Sequence, residues 1–435
     1  MNIIASWLDT NSLAVWTIAI GILCSVPCAI LGCYLVLRRM SMLGDAISHA
    51  VLPGLAVAFL LTGSLTGWGM AIGAGVLGMM TAFLTHGIHK LANVSEDASM
   101  GVVFTSLFAI GVILITRVAS QADLDPGCVL YGLIEFAPLD TIPVFGREVP
   151  RTVQTLGPTL LIALTFVALF WKELKIVSFD PALAAAMGIR VALIHYLLMA
   201  MVAGVTVASF EAVGSILVIA MLIVPAATAH LLSDRLVGMM SWSVVVAVLS
   251  TLLGYYGAVR LNTSVAGMMA VAAGCLFAFA VFLAPRHGIV AQALRRLALA
   301  LRIAREDILA ELYKHEESQS AARPSLASPG YLRWVARLQL RKSAKIEWHA
   351  SALRLTPTGR AEAREMVRAH RLWETYMSTQ LALPPDHVHA PADRVEHYTD
   401  AKLRDRLAAE LAHPTTDPHG RPIPQSAAEP ERSGV

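Results

Sequence analysis

The sequence predicts an all-α polytopic membrane protein of about nine spans, followed by a mostly α soluble domain. Three observations carry this reading. The chain has 435 residues, 56% hydrophobic and 15% charged, which is too apolar for a soluble protein of this size. Charge is unevenly spread: of 34 Lys and Arg and 31 Asp and Glu, only 24 precede Arg286, whereas 9 of the 14 histidines follow it. Apolar runs of about 20 residues, the length a helix needs to cross ~30 Å of hydrocarbon, recur before Arg286 and not after it. The expected division is a transmembrane domain at 1–285, a linker helix at 286–303, a soluble domain at 304–424 and a disordered tail at 425–435.

Spans are expected near 14–37, 46–64, 67–88, 98–117, 155–172, 191–209, 212–231, 237–257 and 263–284. Arg38 and Arg39 close the first, Lys90 follows the third, Lys172, Lys175 and Arg190 flank the fifth and sixth, and Arg235 joins the seventh and eighth. Counted as positive-inside, they put the N-terminus outside and the C-terminus inside. The segment 118–153, with Arg117, Arg147 and Arg151 on the outer side, departs from the count and is expected to be partly re-entrant. Arg286, Arg295 and Arg296 after the last span agree with a cytosolic tail. The opening MNIIASWLDTNSLAVW lacks a basic n-region and an AxA-type cleavage site, so it reads as the start of the mature chain. Five cysteines, Cys24, Cys28, Cys33, Cys128 and Cys275, precede Arg286 without CxxC spacing and read as small buried residues. A net charge of +3 does not by itself point to nucleic acid.

The second span holds MLGDAISHAVLPG. Asp45 and His49, four apart, project from one helix face. A carboxylate and an imidazole suit a transient site for a divalent transition metal; the alternative is a polar pair that fixes helix packing. Glu211 reads as an outer-end cap, and His195 and His230 as snorkelling or capping residues. FDPALAAAMGI at 179–189 places Asp180 as cap and Pro181 at the first helical position. Such an exposed stub suits docking to another protein, or is an ordinary loop helix. The chain has no GxxxxGK[ST] loop and no Gly-Lys dipeptide, so any driving ATPase is a separate polypeptide. It also lacks GxSxG and HExxH, and is not read as an enzyme.

Beyond Ala304, REDILAELYKHEE reads as an amphipathic helix, and Pro324, Pro329 and Gly330 break the pattern after it. YLRWVARLQLRKSAKIEW reads as a basic helix running into a strand, and Thr356 in LTPTGR caps a long helix. Two helices and a hairpin before a long helix resemble a winged helix. His370 and Glu374 then stand at i,i+4, and His389, Asp393, Glu396 and His397 follow at spacings that share a helix face. Six nitrogen and oxygen donors without a thiolate suit manganese, iron(II) or zinc. The alternative is a solvated charged face.

SMLGDAISHAVLPG, EDASMGVVFTSLFAIGVIL, ADLDPGCVLYG, FDPALAAAMGI and FEAVGSILVIAMLIVPAATAHLL, in this order, resemble the permease family of metal-uptake ABC importers over residues 10–285. The resemblance implies a bacterial inner-membrane permease dimer, paired with itself or with a related permease. It also implies one cognate ABC ATPase per subunit, an extracytoplasmic metal-binding protein, and manganese, zinc or iron as cargo. By it, Asp45 and His49 line the metal pathway. Phe179, Asp180, Pro181, Ala184 and Gly188 fall in the helix that fits a cleft of the ATPase.

LTPTGR, HRLWE, HxxAxxxEH and HPTTDPHGRPIP resemble the iron- and manganese-dependent repressors of the diphtheria-toxin-repressor type over residues 304–424. Position by position, His370, Glu374 and His389 match ancillary-type ligands, and Asp393, Glu396 and His397 match the primary-type set. Asp307 matches a ligand on the first helix, and Ala310 stands where the next ligand is expected. Asp393 occupies a position that is cysteine in iron-type members and acidic in manganese-type ones, which favours manganese. SQSAARPSLASPG is too short and Pro-rich for the full helix expected before the recognition helix, so the winged helix is degenerate and DNA binding is disfavoured. The expected function is a metal permease with a cytosolic metal-responsive domain. The alternative is a membrane-tethered or released metal-dependent transcription regulator.

Overall fold

The computed structural model describes residues 12–40, 42–62, 68–118, 134–144, 147–318, 330–349 and 352–425. Among helical residues, the side chains of Asp45, His49 and Glu211 lie outside the described set. So do Cys128, the whole of ADLDPGCVLYG and residues 319–329 of SQSAARPSLASPG. The chain divides into two compact units, Met1–Ala291 and Gln292–Val435.

The first unit is helical apart from one hairpin. Its helices are α1 (Ser12–Leu37), α2 (Leu43–Thr62), α3 (Trp68–Ala92), α4 (Glu96–Val118), α5 (Arg151–Leu169), α6 (Trp171–Phe179), α7 (Pro181–Ala186), α8 (Val191–Val213), α9 (Ser215–Leu232), α10 (Leu236–Leu261) and α11 (Val265–Leu283). Among the described residues, nine of these are 18 residues or longer and lie where spans are expected. Seven are long and apolar enough to cross a membrane: α1, α4, α5, α8, α9, α10 and α11. The helix expected from residue 155 already starts at Arg151, because strands β1 (Thr141–Val144) and β2 (Arg147–Pro150) pair antiparallel and feed directly into it. Part of the expected re-entrant segment is therefore a hairpin.

Helices in such a bundle approach closely where side chains are small. A Cβ on Gly32 of α1 would lie 1.8 Å from the Leu222 carbonyl oxygen of α9, and Gly54 of α2 and Gly73 of α3 similarly admit each other's backbone. Ser243 Oγ donates across helices to the Ala29 carbonyl at 3.0 Å, satisfying a buried hydroxyl. Cys24, Cys28 and Cys33 are buried and unbridged, whereas Cys275 is exposed, against the expectation for it. His195 lies against His86 of α3, ring centroids 5.0 Å apart, and His230 is exposed in the last turn of α9.

The second unit begins within the first turn of α12 (Ile289–Glu317). The expected linker helix and the amphipathic helix after it are one continuous element, since no Gly or Pro interrupts 289–317. Then come α13 (Tyr331–Lys342), an antiparallel hairpin of β3 (Ile346–His349) and β4 (Ala352–Leu355), α14 (Pro357–Thr379), α15 (His389–Val395) and α16 (Ala401–Glu410). Ile308, Leu309 and Leu312 of α12 pack with Leu340, Ile346 and Leu355 in one core, and Leu372, Ala408 and Ile423 form a second.

TPTGR is explained by a single junction. Thr356 Oγ1 accepts the Gly359 N–H at 3.2 Å and donates to the Ala344 carbonyl, and Pro357 takes the first helical position. Gly359 is needed because a Cβ there would lie 2.0 Å from the Lys345 carbonyl oxygen. HRLWE also divides its labour. Arg371 is buried and donates to Glu317 of α12 and to the Pro422 carbonyl, Leu372 enters the core, and Trp373 Nε1 donates to Thr399 at 2.8 Å. Asp417 closes the HPTTDPHGRP turn by accepting the His419 and Arg421 N–H groups at 2.9 and 2.8 Å.

Candidate metal centre

His370 and Glu374 sit one turn apart on α14 and point inward, their side chains 3% exposed. His389 starts α15, Asp393 follows one turn later, and a 3-10 turn at Glu396–Tyr398 then carries Glu396 and His397. The single helix face expected for these four is therefore interrupted: α15 carries the first two, and a tighter 3-10 turn carries the other two. Asp307 comes from α12, 91 residues before Tyr398 in sequence.

The donors fall into sets whose atoms lie within 4.8 Å of one another: His370, Glu374 and His389; Asp307, Glu396 and His397; and His370, Asp393 and Glu396, which shares residues with both. In the first, His370 Nε2 is 3.0 Å from Glu374 Oε1 and from His389 Nδ1, and His389 Nδ1 is 2.9 Å from the same oxygen. In the second, His397 Nε2 is 3.2 Å from Asp307 Oδ1 and 4.0 Å from Glu396 Oε1. His370 Nδ1 bridges the two through Glu396 Oε2 at 2.5 Å and Asp393 Oδ1 at 3.2 Å. Asp307, Asp393, Glu396 and His397 line one cleft of about 710 Å³.

The electrostatics favour protonated imidazoles facing ionised carboxylates. Burial works against a charged His370, but hydrogen bonds to Glu374 and Glu396 prevail and raise it to about 9. His397 is raised to about 10 by Asp307 and then Glu306, against burial. Burial opposes ionisation of Glu374, yet His370 and His389 lower it to about 2. Buried carboxylates of this kind require a positive partner. Imidazole and carboxylate donors without a thiolate fit manganese, iron(II) or zinc.

Ala310 is buried beside the cleft and offers no donor, as the sequence indicated. The residue that sequence reasoning missed is Glu306. Its Oε2 is 2.8 Å from His397 Nδ1, and its Oε1 accepts from Arg302 Nε at 2.8 Å. The only signal in sequence was an i,i+4 Arg-Glu pair, which usually means a solvated helix surface.

In the first unit, Asp180 Oδ1 accepts the Leu183 N–H at 2.9 Å and caps α7 behind Pro181. Ala184 is fully buried, and Gly188 ends the stub with φ of +80°. Phe179, Leu183 and Met187 are 56, 51 and 60% exposed at helical spacing, leaving an apolar outer edge. Asp45 and His49 both lie on α2.

Residues 11–284 match the ABC 3 transport family. The chain belongs to that family. Residues 356–425 match the iron dependent repressor, metal binding and dimerisation domain, a span that starts at the Thr356 cap and includes six of the donors but not Asp307. The manganese transport system membrane protein MntD of Bacillus subtilis is 47% identical over 66% of this chain and 97% of its own length. The zinc transport system membrane protein TroD of Treponema pallidum is 36% identical over 79% of this chain and 95% of its own. The solved structure of PsaBC from Streptococcus pneumoniae in complex with Fab superposes with a TM-score of 0.55, at 31% identity, covering 65% of this chain and 97% of that one. This ABC 3 family chain therefore carries, after its transport region, a metal-binding domain of repressor type.

Proposed function

We propose that this chain is the permease of an ATP-binding cassette importer for a divalent transition metal, manganese favoured over zinc and iron, whose C-terminal domain senses the same class of metal inside the cell. The observation that carries the reading is the pairing, in one chain, of an ABC 3 family match over 11–284 with two nitrogen and oxygen donor sets after it. Relatives named for manganese and zinc transport support the cargo. In this reading α2 and α3 join the seven apolar helices as spans, with the N-terminus outside and α12 onward in the cytosol of an inner-membrane protein, as the positive-inside count of the flanking Lys and Arg residues favours.

In this reading a separate extracytoplasmic protein delivers the ion to a permease dimer, and Asp45 and His49 supply carboxylate and imidazole donors along the path. The apolar edge of Phe179, Leu183 and Met187 docks a separate ATPase, whose closure on ATP turns the pathway inward. The metal that the C-terminal domain holds would bind to the His370, Glu374 and His389 set and to the Asp307, Glu396 and His397 set. There it supplies only a charge that ties helices together. Metal-resolved uptake in cells lacking their own importers tests the transport reading. Selective accumulation that His49→Ala abolishes at unchanged protein level supports it, and undiminished uptake by the variant returns Asp45 and His49 to packing.

A further inference from the structure

We infer that Glu306 is the positioning residue for one of the two metal sets: clamped by Arg302, it holds His397 so that Nε2 faces the ion, making α12 a structural sensor of metal occupancy. The inference rests on the proposed metal-sensing role of the C-terminal domain.

The geometry is one-directional. Arg302 Nε holds Glu306 Oε1 at 2.8 Å from one turn earlier on the same helix, which leaves Oε2 directed at His397 Nδ1, 2.8 Å away. Glu306 is 8% exposed, so this carboxylate is not a chance surface pair. With Nδ1–H donated to Glu306, the lone pair of a neutral His397 is on Nε2. That nitrogen faces Asp307 Oδ1 at 3.2 Å and Glu396 Oε1 at 4.0 Å. Adjacent ligands of one ion lie roughly 3 Å apart at bond lengths of about 2.1 Å, so these atoms need only small shifts to share one. Metal-bound histidines characteristically donate their second N–H to a carboxylate, which fixes the tautomer and raises ligand basicity.

The consequence concerns α12. It supplies both a direct donor, Asp307, and the group that orients another, Glu306, whereas every other donor comes from α14 to the 3-10 turn. An ion in this set therefore ties α12 to the His389–Tyr398 segment. In the other set, His370, Glu374 and His389, α12 has no part. The helix starts at Ile289, and the last apolar helix ends at Leu283. The helix whose donor the ion would engage therefore begins six residues after the last apolar helix ends.

The test is titration of the full-length chain in nanodiscs with Mn2+ alone, free ion being read from its electron paramagnetic resonance signal. Glu306→Ala is expected to weaken one class of bound ion by roughly 10–100-fold, the usual cost of losing such an outer carboxylate, and to leave the other class unchanged. Glu306→Gln, whose amide oxygen still accepts from Nδ1, is expected to recover most of that affinity, and Arg302→Ala to give a smaller loss in the same class. Glu306→Ala with both classes at wild-type affinity overturns the inference, and so does equal loss of both classes in the Ala and Gln variants, which marks a fold defect. Glu374→Ala and His397→Ala separate the two readings: each should weaken one class. If neither does, the metal-sensing reading falls and this one with it; if both do and Glu306→Ala does not, only the positioning role falls.

Discussion

His370 and His397 each face carboxylates on both ring nitrogens, through Glu374 and Glu396 for the first and Asp307 and Glu306 for the second. With pKa values raised to about 9 and about 10, both hold a proton at pH 7 that an incoming ion must displace. Metal binding at pH 7 is thus expected to release about two protons per two ions, and affinity to rise with pH until the release fades above pH 9 to 10. Calorimetric titration in buffers of different ionisation enthalpy measures this; heats independent of buffer at pH 7 contradict it. Asp393, with its Oδ1 3.2 Å from His370 Nδ1, would offer an ion an oxygen rather than a sulfur donor. Asp393→Cys is expected to move preference from manganese towards zinc, read by competition between the two ions, and an unchanged ratio places Asp393 outside the coordination sphere. At this scale the donors were legible because residue type and spacing limit what they can do. Glu306 was not, because its partner His397 is 91 positions away and only tertiary folding joins them.

Thr356 and Asp180 were readable as caps because a cap depends on residues within one turn, and both accept the N–H three residues on. The closeness of Gly359 to Lys345 was not readable, since it depends on the hairpin before α14. Likewise Cys275 gave no sign that it would be exposed, because an apolar helix has no polar face to mark its outward side. The expected linker helix and the helix after it run together as α12, because the sequence carries no breaker between them. The stub α7 shows how a local pattern leaves an apolar side chain at the surface. Its cap and Pro181 set its start, buried Ala184 anchors it, and the other side of the same turns leaves Leu183 half exposed. Leu183→Asp is expected to leave the bundle folded while lowering ATPase affinity about tenfold or more, the loss of an anchor worth at least about 1.4 kcal/mol. Equilibrium binding of the ATPase to the variant in nanodiscs decides it; wild-type affinity removes α7 from the interface.

At the scale of the whole molecule, the division of charge at Arg286 made two regions visible before any element was placed, and the chain separates into two units at Ala291. What composition could not reveal is that a single uninterrupted helix begins at that division and supplies one donor, Asp307, to a candidate metal set. If occupancy biases transport, its reach is bounded by the differential affinity of the ions for the two permease states. One ion held tenfold tighter in the resting state supplies about 1.4 kcal/mol, and two such ions about 2.8, which shifts the state ratio about a hundredfold. That is enough to throttle uptake and too little to abolish it from a strongly active start. Uptake by the full chain is therefore expected to slow as cytosolic manganese accumulates, and uptake by a chain ending near residue 290 to continue at its initial rate. His397→Ala in the full chain, which removes one of the two ions, should keep only part of the slowing at equal protein level, which separates loss of an ion from loss of the domain. Identical saturation curves for all three chains would mean that the second unit holds metal without governing its entry.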